Sequence, residues 1–224
     1  MTDLPTEGWC RTLMAWLPFV PTRATTAHLN RQRSSVSTIT ADCERLNYCR
    51  RMAADYLLII GDREPLAWIL SEGLMAFPPH RSRDAGQVSE GDRLFLYTTR
   101  GCFHSPGRDR GRVIGEATVS TGVTTLKKPV EFGDRSYTLG CSLDITGLAP
   151  RDEGPEMIGL VDGLHLFPNS DPKSWGVRLR RVLARLDKHD AGVLHKKLQP
   201  VMLPVNKSRG GYFERTRFAL SASS

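Results

Sequence analysis

The stretch Gly91–Thr98 reads GDRLFLYT, and its pattern is the strongest indication of the fold class. The Gly–Asp pair turns the chain, and the apolar side chains after it fall on both faces of an extended strand. Such a strand suits the wall of a small barrel, which is covered on both sides. Three segments of similar character lie around it: DYLLII at Asp55–Ile60, RVIGEATV at Arg112–Val119 and YTLGCSLDI at Tyr137–Ile145. The sequence therefore predicts a mixed α/β fold built on a small barrel.

One helix is predicted between the first two strands, and two more are predicted after the last strand. Pro65 fits the first turn of a helix that runs through Ser71, and Gly73 fits its end. The segment Pro172–Leu186 (PKSWGVRLRRVLARL) has apolar residues at helical spacing and predicts a basic helix that carries a tryptophan. Asp187 is a suitable cap for one more helix, which is expected to run through residue 198.

The two ends of the chain differ from its middle. Residues 1–51 show no sustained period of 2 or 3.6 and stop just before Met52 and the first strand. We interpret them as a disordered arm or a mis-annotated start, and residues 52–200 as a single domain. Residues 201–224 contain KSRGG and a Ser-rich end, so they are expected to form a flexible basic tail.

The formal net charge is +7, but it is unevenly distributed. Residues 52–200 carry 20 Lys and Arg against 19 Asp and Glu, so most of the excess comes from the two ends. Only local clusters of basic residues can therefore argue for phosphate contact in the middle of the chain. No apolar run approaches the roughly 20 residues of a membrane span, so no membrane partner is expected. The five scattered cysteines fit neither a zinc knuckle nor a disulfide scaffold, and a cytoplasmic location is expected.

The sequence shows no pattern that predicts catalysis. None of the six histidines lies at metal-ligand spacing from a second ligand, and no phosphate-binding loop or dinucleotide fingerprint occurs. His104, Ser105 and Asp109 have the residue types of a catalytic triad, but they share one loop, which does not preorganise them. We therefore expect neither an enzyme nor a metal or cofactor.

Taken in order, the motifs resemble the EVE family, a branch of the PUA-like superfamily that is related to the YTH and ASCH domains. The resemblance covers roughly residues 54–200 and is strongest with the uncharacterised prokaryotic branch. It departs at Met75–Ala76–Phe77, where the family often has Trp–Gly–Val. The residues that carry it are the GDRLFLYT strand, the VIGEATV strand, Lys128–Pro129 before the Tyr-headed strand, Leu166, Phe167 and Asn169, and the Lys173–x–Trp175 helix start.

This resemblance implies a PUA-like barrel that reads nucleic acid without catalysis. It implies that a modified base is flipped into a pocket at the mouth of the barrel. Double-stranded DNA with 5-methylcytosine is the first expectation, in modification-dependent defence, with a nuclease or other effector supplied by a separate protein. An RNA-binding PUA-like protein and a regulator that binds a small molecule or nucleotide remain open alternatives.

The mouth geometry of the superfamily and the placement of aromatic residues suggest six pocket positions. Trp68, Tyr97 and Phe77 have a core position as the alternative, and the threonines are alternatively strand ends that bond only solvent or backbone. The candidate pocket residues are Phe77, Tyr97, Thr98, Thr99, Phe103 and Trp68. Clusters of basic residues are candidates for phosphate contact, with solvated surface charge as the alternative. These candidate backbone contacts are Arg100, Arg108, Arg110, Lys127, Lys128, Arg178 and Arg181.

Overall fold

A computed structural model describes residues 51–78, 81–105, 107–168 and 174–217. The expected disordered arm lies outside the described residues, except for Arg51. Asn169 and Lys173, which belong to the resemblance, also lie outside them.

Seven strands in the described residues form one mixed sheet. They are β1 (Asp55–Ile60), β2 (Leu74–Phe77), β3 (Arg93–Thr98), β4 (Arg112–Val119), β5 (Thr124–Phe132), β6 (Arg135–Leu148) and β7 (Leu183–Leu186). The order is β2-β6-β4-β3-β1-β7, with β5 also paired to β6. Only β1 and β3 pair in parallel, and the other pairs are antiparallel. Irregularities in β3–β4, β4–β6 and β5–β6 bend the sheet into a curled half-barrel.

Helices flank this sheet, which confirms the expected mixed α/β architecture of a curled sheet with flanking helices. They are α1 (Arg63–Glu72), α2 (Ser82–Ala85), α3 (Lys188–Leu198) and α4 (Val205–Ser208). Single 3-10 turns lie at Met157–Gly159, Val161–Gly163, Trp175–Leu179, Gln199–Val201 and Arg209–Tyr212. In the described part of the chain, no helix has the length and apolar character needed to cross a membrane.

The ends of α1 and α3 follow the sequence-based expectation. Asp62 caps α1 by accepting a hydrogen bond from the Glu64 N–H at 2.9 Å. Gly73 ends α1 with φ of 62°, a left-handed conformation that glycine adopts without a Cβ clash. Asp187 caps α3 by accepting from the Asp190 N–H at 2.8 Å.

Apolar side chains cover both faces of the central strands. On β3, Leu94 and Leu96 point into one core cluster, and Phe95 and Tyr97 point into the other. All four are buried. The period-2 alternation of GDRLFLYT therefore gives a strand that is buried on both sides, as its composition predicts.

The prediction of a helix over Pro172–Leu186 is wrong in its described part. The chain instead forms the 3-10 turn Trp175–Leu179 and then strand β7, which pairs antiparallel with β1. The apolar spacing of this segment fits either state, and β7 supplies backbone partners for the outer edge of β1. Arg178 therefore lies in the 3-10 turn, Arg181 between the turn and the strand, and Arg185 in β7.

Lys127 and Lys128 lie within β5, a strand that the sequence analysis does not predict. β5 pairs only with β6, so it is an edge strand and tolerates Pro129. Both lysines are exposed on this edge.

The flexible tail predicted from residue 201 onward is wrong for residues 201–217. Tyr212 and Phe213 are buried, with exposed fractions of 1% and 4%. The Tyr212 hydroxyl donates to the Ala149 carbonyl oxygen at 2.9 Å. Two buried aromatic residues directly after the basic, Gly-containing stretch thus fix this segment to the core.

Arg51 also belongs to the folded unit, although the sequence analysis assigns it to the arm. Its guanidinium donates to the Tyr56 hydroxyl at 2.9 Å and to the buried carboxylate of Asp92 at 3.3 Å. Asp92 accepts two further hydrogen bonds from the Ala54 and Ser89 N–H groups, both at 2.8 Å. Arg51 thus helps to satisfy a buried charge.

Candidate nucleic-acid interface

A cleft of about 660 Å³ opens at the end of β1. We call it the hairpin cleft, because the β5–β6 hairpin forms one of its walls through Phe132, Arg135 and Tyr137. The last residues of β1 and the first turn of α1 form a second wall, and Met75–Ala76 of β2 belongs to a third.

The hairpin wall is aromatic. The Phe132 and Tyr137 rings lie 5.4 Å apart at 74°, and Trp68 of α1 meets Phe132 edge-on at 5.8 Å. The Arg217 guanidinium lies 5.2 Å from the centre of the Phe132 ring. Phe132 and Tyr137 are only partly buried and line the cleft, so they offer apolar ring surface to a bound molecule.

Gly140 allows the hairpin to lie close to β2. A Cβ built on this residue would lie 2.6 Å from the Met75 carbonyl oxygen and 2.8 Å from the Leu126 side chain. Any larger residue would therefore push β6 away from β2 or β5. The glycine in YTLGCSLDI thus fixes the distance between two walls of the hairpin cleft.

Charged side chains line the same cleft. Arg63, Arg81 and Arg135 contribute positive charge. The Asp62 carboxylate contacts His104 Nε2 at 3.0 Å. Burial acts to raise the pKa of Asp62, but the hydrogen bonds from the Glu64 N–H and from His104, with the nearby positive charges, outweigh it and lower the pKa.

A second cleft of about 380 Å³ contains six arginines, and we call it the arginine cleft. The arginines are Arg63, Arg108, Arg110, Arg112, Arg151 and Arg215. Arg112 donates to the Glu156 carboxylate at 2.7 Å and to the Gly154 carbonyl oxygen at 2.6 Å. Arg151 donates to Glu214 at 2.8 Å and lies 4.7 Å from the centre of the Phe103 ring. Arg63 lines both clefts, so the two are neighbours.

None of the six pocket residues proposed from the sequence lines the hairpin cleft. Phe77, Tyr97 and Thr98 are buried, with exposed fractions of 0%, 3% and 1%. Burial also raises the pKa of Tyr97 to about 12. Trp68 is buried behind Phe132. Thr99 is partly buried beside Gly61, and Phe103 lines the arginine cleft instead.

The seven proposed backbone contacts separate into two groups. Arg108 and Arg110 lie together in the arginine cleft. The other five, Arg100, Lys127, Lys128, Arg178 and Arg181, are exposed and line neither cleft.

Sequence reasoning missed the aromatic wall because it missed β5. The signal was present: Leu126, Val130 and Phe132 recur at even spacing before a Gly–Asp turn, and all three are partly buried. Pro129 and the two lysines obscured that pattern. Without β5 there was no hairpin to bring Phe132 and Tyr137 together.

One side-chain cluster in the described residues has the geometry of a metal site. The ligand atoms of His165, Asp187 and Asp190 lie within 4.8 Å of one another. Asp190 already accepts hydrogen bonds from the His165 and Leu166 N–H groups at 2.8 and 2.7 Å. Asp187 accepts from the Asp190 N–H and bonds His165, whose pKa this hydrogen bond raises. The Asp187 carboxylate therefore caps α3, and the Asp190 carboxylate holds the backbone of His165 and Leu166 against this helix.

The triad-like residues of the loop after β3 are not arranged as a triad. His104 bonds Asp62, and Asp109 is buried and accepts from the N–H groups of Phe103 and Ser105 at 3.1 and 2.9 Å. These contacts fix the loop between the two clefts. They give His104 and Asp109 a structural role.

No protein-family model matches this sequence, and no curated protein matches it. Several solved structures have a similar backbone fold at low sequence identity. A Rhodopseudomonas palustris protein, Rpa0253, is 13% identical, with 66% of this chain and 95% of that chain covered and a TM-score of 0.43. Human THYN1, solved with DNA containing 5-methylcytosine, is 10% identical, with 65% and 98% covered and a TM-score of 0.42.

The YTH domain of Zygosaccharomyces rouxii MRB1, solved with N6-methyladenosine RNA, is also similar. It is 14% identical, with 66% of this chain and 90% of that chain covered and a TM-score of 0.43. A function for the present chain therefore has to be argued from its own residues.

Proposed function

We propose that this protein is a non-catalytic nucleic-acid reader that accommodates one flipped, modified base in the hairpin cleft. The observation that carries this proposal is the pairing of partly buried aromatic rings, Phe132 and Tyr137, with three arginines in one cleft. A flipped base needs both features. It needs an apolar face for its ring, and it needs positive charge for its phosphates.

The magnitudes are consistent with this role. Unstacking a base costs a few kcal/mol, and stacking on an aromatic side chain returns roughly 1–3 kcal/mol. One buried methyl group adds about 0.8 kcal/mol, so a preference for a methylated base of roughly fourfold needs no further contact. The volume of about 660 Å³ lies within the range of roughly 300–1,000 Å³ that is usual for small-ligand sites.

We further propose that the chain belongs with the EVE branch of the PUA-like domains and reads 5-methylcytosine in double-stranded DNA. The sequence motifs support that assignment. Met75 and Ala76 in the cleft leave room where the family often places a tryptophan, which favours a pocket that differs from a tryptophan cage. A role in modification-dependent defence, with an effector from another protein, completes the hypothesis.

The test is a binding comparison by fluorescence anisotropy with the full chain. The ligands are one DNA duplex with and without a single 5-methylcytosine, its separated strand, and the matching RNA, each at two salt concentrations. We expect the methylated duplex to bind most tightly and the preference to persist at high salt, because phosphate contacts carry no information about a methyl group.

Each other outcome has a distinct meaning. Stronger binding of the RNA would replace DNA by RNA as the partner. Weak binding of all polymers, with no preference and strong salt dependence, would refute the reader hypothesis. In that case a small molecule or a free nucleotide would be the better candidate for the cleft.

A further inference from the structure

The arginine cleft is built for an anion. Six arginines converge on it, against three acidic residues, Asp109, Asp152 and Glu214. Asp109 is buried and accepts hydrogen bonds from two backbone N–H groups, while Glu214 and Asp152 both pair with Arg151, at 2.8 and 3.8 Å. These pairings leave an excess of positive charge facing the cleft.

Two of the arginines are held in place but have an unused donor. Arg112 is fixed by Glu156 and Gly154, and Arg151 is fixed by Glu214 and the Phe103 ring. The Nε atoms of both arginines are nevertheless buried and have no hydrogen-bond partner; the Arg151 Nε lies at ion-pair distance, 3.8 Å, from the Asp152 carboxylate. A buried donor without a hydrogen bond is costly, so two unsatisfied guanidinium donors beside one cleft favour an acceptor that enters the cleft.

Three further arginines are available to complete the contact. The side chains of Arg108, Arg110 and Arg215 are exposed and form no hydrogen bond or ion pair with any described residue. Guanidinium groups match the oxygens of a phosphate in two-point contacts, so this set suits a phosphoryl group better than a single carboxylate.

The backbone is unusual at the same place. Among the described residues, the non-glycine residues with positive φ are His104, Asp152 and Arg215, at 61°, 70° and 58°. His104 lines the hairpin cleft, and the other two line the arginine cleft. Such conformations cost free energy and are retained where the surrounding structure requires a particular geometry.

We propose that the arginine cleft binds a phosphate group, and that this is the phosphate next to the base held in the hairpin cleft. The link is Arg63, which lines both clefts. The inference rests on the proposed function for its ligand, but not for the existence of the site. The C-terminal segment is part of this site through Glu214 and Arg215, so residues beyond the expected domain boundary take part in binding.

The first experiment uses the full chain with inorganic phosphate as the probe. The side-chain Nε–H signals of Arg112 and Arg151 are followed by NMR during the titration. We expect both signals to shift together and to saturate. Changing Arg108 and Arg110 to Ala should weaken this binding at least tenfold. These residues are exposed, so the variant is expected to remain folded.

The matched control is the double variant Lys196→Ala and Lys197→Ala. It removes the same charge from exposed positions on α3 and should bind phosphate as the wild type does. Shifts that never saturate, or an equal loss in both double variants, would reduce the cleft to a general charge effect and overturn the proposal.

The second experiment titrates a short DNA strand into the phosphate-loaded protein. We expect the strand to displace phosphate, and the Arg108/Arg110 variant to have a salt slope lower by roughly one unit per lost contact. If phosphate saturates the site but DNA does not displace it, the ligand is a free phosphate compound and the link to nucleic acid is refuted.

The two proposals fail in different ways. A preference for the modified base that is retained without any saturable phosphate site would leave the reader function standing and overturn this inference. A saturable phosphate site that DNA occupies with no preference for any base would support the inference and contradict the reader function.

Discussion

The hairpin cleft and the arginine cleft share Arg63 but are built in different ways. The hairpin cleft is formed by regular strands and by α1, and it exposes aromatic and apolar surface. The arginine cleft is formed by the loop after β3, the loop after β6 and the C-terminal segment, and it exposes mainly guanidinium groups. Rigid strands suit recognition of a base shape, whereas charged loops suit attachment to phosphate, which is the same at every nucleotide.

The largest effect is expected at the packing of the C-terminal segment. Tyr212→Ala should lower the free energy of unfolding by about 3–5 kcal/mol, because the ring is buried beside Phe103 and its hydroxyl is bonded. Urea unfolding measures this change. Tyr212→Phe keeps the ring and should cost only about 0.5–1.5 kcal/mol.

A change below about 1 kcal/mol in Tyr212→Ala would mean that the C-terminal segment is not fixed to the core. The arginine cleft would then lose one of its walls, and the contrast between the two clefts would fail.

The next effect concerns the aromatic wall of the hairpin cleft. Phe132→Ala should reduce affinity for DNA with a modified base by roughly 1–3 kcal/mol, because a stacking surface is lost. Its salt slope should stay unchanged, since no phosphate contact is removed. Anisotropy titrations at several salt concentrations measure both quantities.

Two controls accompany this variant. Thermal unfolding separates loss of binding from loss of fold, because Phe132 also contacts Trp68. Phe77→Leu serves as a comparison, since Phe77 is fully buried and lines neither cleft. If Phe77→Leu stays folded yet loses the preference while Phe132→Ala keeps it, the site lies where the sequence analysis first placed it.

A smaller effect is expected for the acid dependence of stability at Asp62, which lies at the mouth of the hairpin cleft. The pKa of Asp62 is lowered in the folded protein, so its ionised form stabilises the fold above its usual pKa of 3.8. That contribution is lost as the pH falls through the lower folded pKa. The difference in melting temperature between wild type and Asp62→Asn should therefore be greatest near neutral pH and shrink below pH 3.8.

Asparagine still caps α1, so this variant tests charge rather than capping. A difference that stays constant from neutral pH to below pH 3.8 would contradict the assigned role of the carboxylate.

The smallest effect is expected at the N-terminus. A chain that starts at Arg51 should keep its melting temperature and DNA binding, because residues 51–217 supply both clefts. Arg51→Ala in that chain should cost about 1 kcal/mol through the lost contacts with Tyr56 and Asp92. A loss of several degrees on removing residues 1–50 would show that they pack against the domain.

Local sequence patterns were sufficient to predict the elements whose local and tertiary preferences agree. Asp55–Ile60, Arg93–Thr98 and Arg112–Val119 became strands because their apolar residues favour extended, buried backbone. The caps at Asp62, Gly73 and Asp187 were predictable because the interactions that form them lie within a few residues. Tyr137–Ile145 was likewise correctly assigned to a strand, because its apolar residues favour extended backbone.

The remaining features depend on tertiary contacts, because each of them needs a partner far along the chain. Leu183–Leu186 became a strand since the edge of β1 accepts it, although its spacing also fits a helix. Phe132 lines the hairpin cleft because β5 pairs with β6. Lys127, Lys128 and Pro129 interrupt the apolar pattern that would have predicted β5. The arginine cleft joins residues 63, 108–112, 151 and 214–215, whose proximity no local period encodes. Short-range chemistry therefore fixed the strands and caps, while long-range packing chose which side chains meet in the two clefts.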